Sequence, residues 1–446
     1  MPGERPHILL INPWIHDFAA YDFWAKPMGL LEIASILRHH GISISLIDCL
    51  DRFHPSAPKS KPEARHGRGP YLKTRISKPP GLNDVPRYYS RYGIKPQWFA
   101  TDLRNLAPPD MVLITSLMTY WYPGVQETIK HIRSVWPQVP IVLGGIYARL
   151  CPDHARHHSG ADHVVLEPAE KSLISLMRKF CGVSLKPAVD PDNLDSYPYP
   201  ALDLQSQIGY VPLLTSRGCP FNCAYCASRI LEPRHIQRSP DSVVEEVKFW
   251  HKKYGQRDFV LYDDAFLVNA GQHSIPILEK IISAGLNVRF HTPNAIHIRG
   301  LTAQTAMLMR RAGFETLRLG LETVDFDHRL EMDKKVSEME FEQAVRHLKH
   351  AGFEKKQVGA YLLAGLPDQD FTTIEHSINV VKRVGITPVI AHYAPIPQTA
   401  LWPRAVAASR YDLESDPIFT NNAIMPCRKD PFVWDTLTRL KELAAD

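Results

Sequence analysis

Short apolar runs alternate with stretches of helical periodicity along most of the chain. Residues 8–12 form a run of the first kind. Residues 29–39 form the second, with Leu30, Ile33, Ala34 and Leu37 on one face and Gly41 beyond the end. Residues 42–47, 111–116, 141–145 and 163–166 predict further strands, and 125–135 a further helix. Unbroken apolar strands spaced by helices predict a parallel sheet covered on both faces. A second series starts at Val211. Strands are expected at 210–214, 259–264, 287–291, 316–321, 358–364 and 389–393. Between them lie helices at 303–312 and 340–351, and one that starts with Ser239 as N-cap and Pro240 in its first turn. Six strand–helix units therefore run from Val211 to Pro397. Prolines and aspartates crowd residues 190–200, which reads as a linker.

Composition supports a globular chain of more than one domain, with 446 residues, 44% apolar and 22% charged. No run of eighteen apolar residues occurs, so no membrane span is expected. The first residues lead straight into an apolar strand, so no secretory leader is expected either. The formal charge of +5 is unevenly spread. Between Arg52 and Lys95 stand eleven Lys and Arg against two acids, in a stretch rich in Pro, Gly and Ser. That stretch has three readings: a solvated insertion loop, a nucleic-acid contact, or a cover for a phosphate-bearing ligand.

The chemistry concentrates in one loop. Cys219, Cys223 and Cys226 follow the apolar run 210–214 with the spacing C-x3-C-x2-C. Gly218 and Pro220 shape the turn, and Tyr225 precedes the last cysteine. Three thiolates leave one iron of a cubane [4Fe–4S] cluster without a protein ligand, open to a substrate or cofactor. Ordinary buried thiols, or a zinc site completed by Cys427 or a histidine, are the other readings. Cys49, Cys151, Cys181 and Cys427 carry no spacing signal. Thiols around an oxygen-sensitive cluster point to a reducing, cytoplasmic setting.

This loop resembles the cluster-binding loop of the radical S-adenosylmethionine (radical SAM) superfamily, and six strand–helix units match that family's open (β/α)6 partial barrel. The resemblance implies that Cys219, Cys223 and Cys226 hold the cluster, with SAM chelating the open iron through its methionine amino and carboxylate groups. Tyr225 would lie beside it. Asp263 and Asp264, after the second strand, would approach the SAM ammonium. Asn294 and Arg299 follow the third strand. Gly320 and Glu322, in the run Leu317-Arg-Leu-Gly-Leu-Glu, resemble the family's fourth-strand motif near the ribose or methionine part. Leu366, in Gly365-Leu-Pro, resembles the turn that flanks adenine. Pro395, in Ala394-Pro-Ile-Pro, resembles the Pro-x-Pro segment that the family normally follows with glycine. Gln398 stands there instead.

The strand ends of the first series carry Asn12, Asp48, Ser116 to Trp121, Gly144 to Tyr147, and Glu167. Together with Lys26-Pro-Met-Gly-Leu and Gly160-Ala-Asp, they resemble the cobalamin-binding domain that precedes the barrel in the B12-dependent branch. That resemblance implies cobalamin contacts from Asn12, Pro27, Gly29, Asp48, Ser116, Leu117, Thr119, Tyr120, Trp121, Gly144, Gly145, Tyr147 and Glu167. The D-x-H-x-x-G motif that ligates cobalt in many B12 domains is absent; the chain reads Asp48-Cys-Leu-Asp-Arg-Phe-His. Two readings follow: cobalamin with no protein imidazole on the metal, or a Rossmann-like domain without cobalamin. Tyr120 and Trp121 either pack on the corrin or fill the core.

The expected fold is therefore α/β throughout. A Rossmann-like, cobalamin-binding-type domain spans 1–180, with the basic insertion at about 52–97. A linker follows at 181–205, then a radical SAM partial barrel at 206–400 and an extension at 401–446. His154, His157 and His158 read as a solvated helix face, and His291 as a strand-end candidate for substrate. Trp402, Phe419, Phe432 and Trp434 line a pocket or close the barrel. The expected activity is cleavage of SAM to a 5′-deoxyadenosyl radical and cobalamin-dependent methylation of an unactivated carbon. The alternatives are oxidation, cyclisation or rearrangement without methyl transfer, and a non-catalytic iron–sulfur or nucleic-acid-binding protein. Expected partners are a small-molecule or natural-product substrate and an electron donor such as flavodoxin or ferredoxin. Neither a membrane nor nucleic acid is expected.

Overall fold

The computed structural model describes residues 5–58, 66–326, 332–333, 336–428 and 434–445. The chain divides into two units. The first is Met1–Ile208 with Ser415–Ala423, and the second is Gly209–Glu414 with Ile424–Asp446.

In the first unit, β1 (His7–Asn12) lies between β3 (Ser43–Asp48) and β6 (Met111–Ile114). Then follow β7 (Ile141–Leu143) and β8 (His163–Val164), all parallel. Ile8, Leu10, Met111, Leu113 and Val142 pack with Leu30, Leu37 and Leu176 on one face. Leu9, Ile11, Val112, Ile114, Ile141 and Leu143 pack with Phe99, Ile129 and Ile132 on the other. Burial on both faces is why these strands read as unbroken apolar runs. Each such side chain contributes about 2 kcal/mol by leaving water. The chain leaves β1 toward β3 on one side and reaches β6 on the other. The crevice beyond the carboxyl ends of β1 and β6 is thus the topological switch point, where doubly wound sheets bind ligands.

Two expectations fail in this unit. The basic insertion is not merely a solvated loop. Strands β4 (Lys73–Arg75) and β5 (Ser90–Tyr92) join β2 (Ile15–Asp17) in an antiparallel sheet of order β2-β5-β4. Tyr89 and Tyr92 are buried, and the Tyr89 hydroxyl donates to the His16 carbonyl at 3.1 Å. β4 is exposed. Residues 59–65 of the insertion lie outside the described residues. The run read as a linker is packed as well. Tyr197, Ala201 and Leu204 join the sheet's core, and Ala201 N–H donates to Leu31 O at 3.0 Å.

In the second unit, β9 (Val211–Leu213), β12 (Asp258–Leu261), β13 (Arg289–His291), β14 (Phe314–Glu322), β15 (Val358–Ala364) and β16 (Thr387–His392) pair in chain order, all parallel. This is the expected partial-barrel order. A short antiparallel pair, β10 (Ser216–Arg217) and β11 (Ile236–Gln237), brackets the cysteine loop. The helix Pro240–Tyr254 starts as expected, with the Ser239 side chain accepting from Ser242 N–H. Ser337 and Glu340 form a capping box at the start of the helix Glu338–His350.

Candidate functional site

The carboxyl ends of the six barrel strands gather at one edge, and the cysteine loop leaves β9 there. Gly218 takes φ +75°, and a Cβ on it would lie 2.3 Å from Arg234 O, so only glycine suits the position. Cys219, Cys223 and Cys226 are in no disulfide. The Ser228 backbone N–H donates to Cys226 Sγ at 3.4 Å. Ala224, between the cysteines, is held from both sides. Its N–H donates to Met332 O at 2.9 Å, and its carbonyl accepts from Leu401 N–H at 2.8 Å.

This donor set suits a cubane better than a single zinc ion. Among the described residues, no group containing these cysteines brings three ligand atoms within 4.8 Å of one another. One zinc ion with bonds of about 2.3 Å would require that. Cys427, the alternative fourth ligand, is buried, and its thiol donates to Ala405 O at 3.8 Å. Burial pushes that thiol up to about 12, so it stays protonated.

Asp263 braces the root of this loop. It is 4% exposed and accepts from the Thr215 hydroxyl at 2.6 Å, the Thr215 N–H at 3.1 Å and the Ser216 hydroxyl at 2.6 Å. Burial raises its pKa, while these bonds oppose the rise. Asp264 follows on the bend beyond. The Asn294 side-chain amide donates to Tyr262 O at 2.9 Å and ties the ends of β12 and β13 together. The Tyr225 hydroxyl donates to Asp333 at 3.4 Å. Glu322 is buried at 8% exposure and takes φ +63°. Its register slips against β15, and its Oε1 lies 3.4 Å from where a Gly320 Cβ would be, so Gly320 leaves room for this carboxylate. A non-glycine residue held at positive φ marks strain of the kind kept at functional positions. The Gly365 and Leu366 N–H groups both donate to Gln369 Oε1, at 2.8 and 3.2 Å. Pro395 is buried after β16.

Two expectations fail in this unit. Arg299 points to the helix Glu338–His350, where its Nε donates to Glu340 at 2.8 Å. His291 is not a substrate contact. It is fully buried, bonded to Thr316 Oγ1 at 3.1 Å and to Asp258 Oδ1 at 3.0 Å.

At the carboxyl edge of the first unit, the Asn12 side chain donates to Asp48 Oδ1 at 2.7 Å, joining β1 to β3. Burial pushes the Asp48 carboxyl up to about 6. Lys26 is half-buried nearby and donates to Gln205 and, at 2.6 Å, to Ile208 O. Burial lowers its ammonium to about 8. The Ser116 hydroxyl donates to Gly144 O at 2.6 Å. Gly145 takes φ +95°, with Ser116 O 2.3 Å from its would-be Cβ. Beside them Leu117, Met118 and Leu166 are exposed at 41%, 41% and 37%, and Glu167 is exposed too. Space is open around Gly29, and a Cβ on Gly144 would meet only Val165, at 4.0 Å. An exposed apolar shelf at a switch point, next to glycines, suits a large flat ligand.

Four expected cobalamin contacts have their side chains engaged within the protein. Tyr120 and Tyr147 are core residues, at 2% and 0% exposure. Thr119 is bonded to Thr420 at 2.9 Å, and the Trp121 indole donates to Asp17 at 2.6 Å. The expected tail therefore has a role the sequence did not reveal. Residues 415–423 seat on the turn Thr119–Trp121, with Asn421 bonded to Asp17 and the Tyr122 hydroxyl to Asp416. Phe419 packs beside Gly81. Phe432 lies outside the described residues. The triad on the helix Pro152–His158 behaves as expected at His157 and His158, which are exposed; His154 is bonded to the Tyr147 hydroxyl at 2.7 Å.

Residues 213–379 match the Radical SAM superfamily, and residues 95–176 match the B12 binding domain. The chain is a radical SAM protein with a B12-binding domain. Membership brings a [4Fe–4S] cluster, SAM and cobalamin as cofactors, and makes the chain an enzyme. An uncharacterised methyltransferase of Pyrococcus horikoshii is 27% identical over 327 residues, which is 67% of this chain and 70% of the relative. The cytidylyl-2-hydroxyethylphosphonate methyltransferase of Streptomyces wedmorensis is 21% identical, over 81% of this chain and 73% of the relative. The radical SAM methyltransferase TsrM of Kitasatospora setae, solved with tryptophan and a SAM analogue, shares the fold. The TM-score is 0.69 at 15% identity, covering 98% of this chain and 89% of TsrM. The B12-binding part precedes the radical SAM part, as expected. Among the described residues, no helix is long and apolar enough to cross a membrane.

Proposed function

We propose that this radical SAM enzyme methylates an unactivated carbon of a small-molecule or natural-product substrate in a cobalamin-dependent reaction. The observation that carries the proposal is that each unit has its own prepared edge: three cysteines outside any disulfide on a clamped loop in one, and an open apolar shelf at the switch point in the other. The names of the two relatives above, both methyltransferases, support it. When bound, the cluster supplies the electron that cleaves SAM to a 5′-deoxyadenosyl radical, and cobalamin carries the methyl group to the substrate.

The residues divide the remaining tasks. Cys219, Cys223 and Cys226 hold the cluster, while Asp263 and Ala224 fix their loop. Asp264 and Glu322 offer carboxylates to the SAM ammonium and ribose. Tyr225, Asn294, Gly320, Leu366 and Pro395 shape the rest of the SAM site. Asn12, Asp48, Ser116, Gly144 and Gly145 line the cobalamin groove with Pro27, Gly29 and Glu167. Leu117, Met118 and Leu166 present their apolar surface to the corrin. A flavodoxin or ferredoxin delivers the electron in a reducing cytoplasm.

One observation favours a second reading. Tyr120 is buried in the core, Thr119 is bonded to Thr420 and the Trp121 indole to Asp17, as in a domain that uses cobalamin less fully. Oxidation or cyclisation by the adenosyl radical alone would then be the activity.

Anaerobic expression with cobalamin supplied separates the two. Near one corrinoid per chain, together with 5′-deoxyadenosine formed from SAM and reductant, is the expected result. An intact cluster with no corrinoid would overturn the methyl-transfer reading.

A further inference from the structure

His297 lies close to the cysteine loop, with Nε2 4.0 Å from Cys219 Sγ. Its ring stacks on Phe221, two residues past that cysteine, with centroids 4.0 Å apart and planes at 25°. Its backbone is equally fixed. Neighbouring Ile296 is 4% exposed and bridges to β14, donating to Arg318 O at 2.7 Å and accepting from Gly320 N–H at 3.1 Å. The His297 carbonyl accepts from Gly300 N–H at 3.1 Å. An imidazole held by a ring stack and a strand bridge keeps its place beside one thiol.

We propose that His297 is a positioning residue that donates a hydrogen bond from Nε2–H to the Cys219 thiolate and so raises the reduction potential of the cluster. The proposal rests on the cluster reading of the three cysteines. Reduction adds one electron, and part of that charge spreads onto the cysteine sulfurs. An N–H dipole aimed at one sulfur stabilises the reduced state more than the oxidised state, and hydrogen bonds to sulfur are among the levers that set such potentials. A less negative cluster lies within reach of a flavodoxin- or ferredoxin-type donor. Cys226 has the Ser228 backbone N–H for this purpose, which no side-chain substitution removes. His297 is the side-chain counterpart at Cys219.

The test uses the full chain, reconstituted anaerobically and without SAM. It is poised against mediators while the reduced-cluster EPR signal is read. At the potential where the wild type is half reduced, His297→Leu should show a reduced-to-oxidised ratio about threefold lower, or about 28 mV at 59 mV per decade. His297→Gln keeps a side-chain N–H and should stay within about twofold of the wild type. Phe221→Leu, which frees the imidazole, should move the ratio in the same direction as His297→Leu. It carries the test if His297→Leu fails to fold. Unchanged ratios in His297→Leu and Phe221→Leu would overturn the proposal while leaving the cluster intact. Absence of any [4Fe–4S] signal in the wild type would instead overturn the cluster reading, and this proposal with it.

Discussion

Asn421 donates its side-chain N–H to Asp17 Oδ1 at 2.9 Å across 404 residues of sequence. Both residues are buried, and the same carboxylate accepts from Trp121 Nε1–H at 2.6 Å. The bond holds the returning segment against the turn Thr119–Trp121, beside the apolar shelf. Asn421→Ala leaves Asp17 short of one donor in a site where burial already raises its pKa. An expected loss of about 1–3 kcal/mol follows, read by urea unfolding. Cobalamin affinity should fall as well, since the turn next to the groove loses its seat. Unchanged affinity in a folded Asn421→Ala chain would show that this segment only closes the unit.

Asp263 yields a sharper contrast, because its neighbour serves as the control. Asp263→Ala strands the Thr215 N–H and the Ser216 hydroxyl and leaves the Thr215 hydroxyl with His273 Nε2 as its partner, at the root of the cysteine loop. Iron and sulfide per chain should fall more than about twofold, with a stability loss of about 3 kcal/mol. Asp264→Asn should keep the cluster and weaken SAM binding. Equal iron content in wild type and Asp263→Ala would refute the bracing role.

The parts legible in the sequence are those whose causes are local. Strands β1, β6 and β7 are buried on both faces, so their apolar runs announce them. The Ser239 cap and the cysteine spacing are signals of a few residues. The missed parts depend on distant pairing. β2 finds β5 some seventy residues later, in a stretch whose Pro, Gly and basic residues read as loop. Thr420 finds Thr119 across 301 residues, and His297 finds Cys219 across 78. His291 misled for another reason. β13 is only three residues long, so its end and its buried middle are one place.

Asp48 predicts a pH dependence. Burial, the leading cause, pushes its folded pKa to about 6, above its ordinary value of 3.8, while bonds from Asn12 and Leu50 oppose the rise. The folded state therefore binds the proton more readily than the unfolded state. This group's contribution to stability rises as pH falls from about 7 through 6 toward 4, and is flat outside that window. The full span is up to about 3 kcal/mol, at about 1.4 kcal/mol per pKa unit. Asp48→Asn should remove that slope and be the more stable chain at pH 7. The check is chemical unfolding at several pH values. A wild type and variant with parallel stability-versus-pH curves would mean that Asp48 is ionised in the folded state at ordinary cost.

Gln398 offers a test of how the barrel's last turn is built. It stands where the family normally has glycine, and it adopts φ +69°, the left-handed conformation that glycine reaches without strain. An L side chain there costs about 1–2 kcal/mol. The turn leads to Leu401, whose N–H holds Ala224 of the cysteine loop at 2.8 Å, so its shape bears on the cluster. Gln398→Gly relieves the strain but loosens the unfolded chain, for a net gain of about 0.5 kcal/mol with iron content unchanged. Gln398→Val places a branched Cβ at positive φ and should lose more than about 1 kcal/mol, together with part of the iron. Thermal unfolding of the two variants, with iron counted in each, reads both effects. If valine were tolerated as well as glycine, the turn would not be held at positive φ in solution.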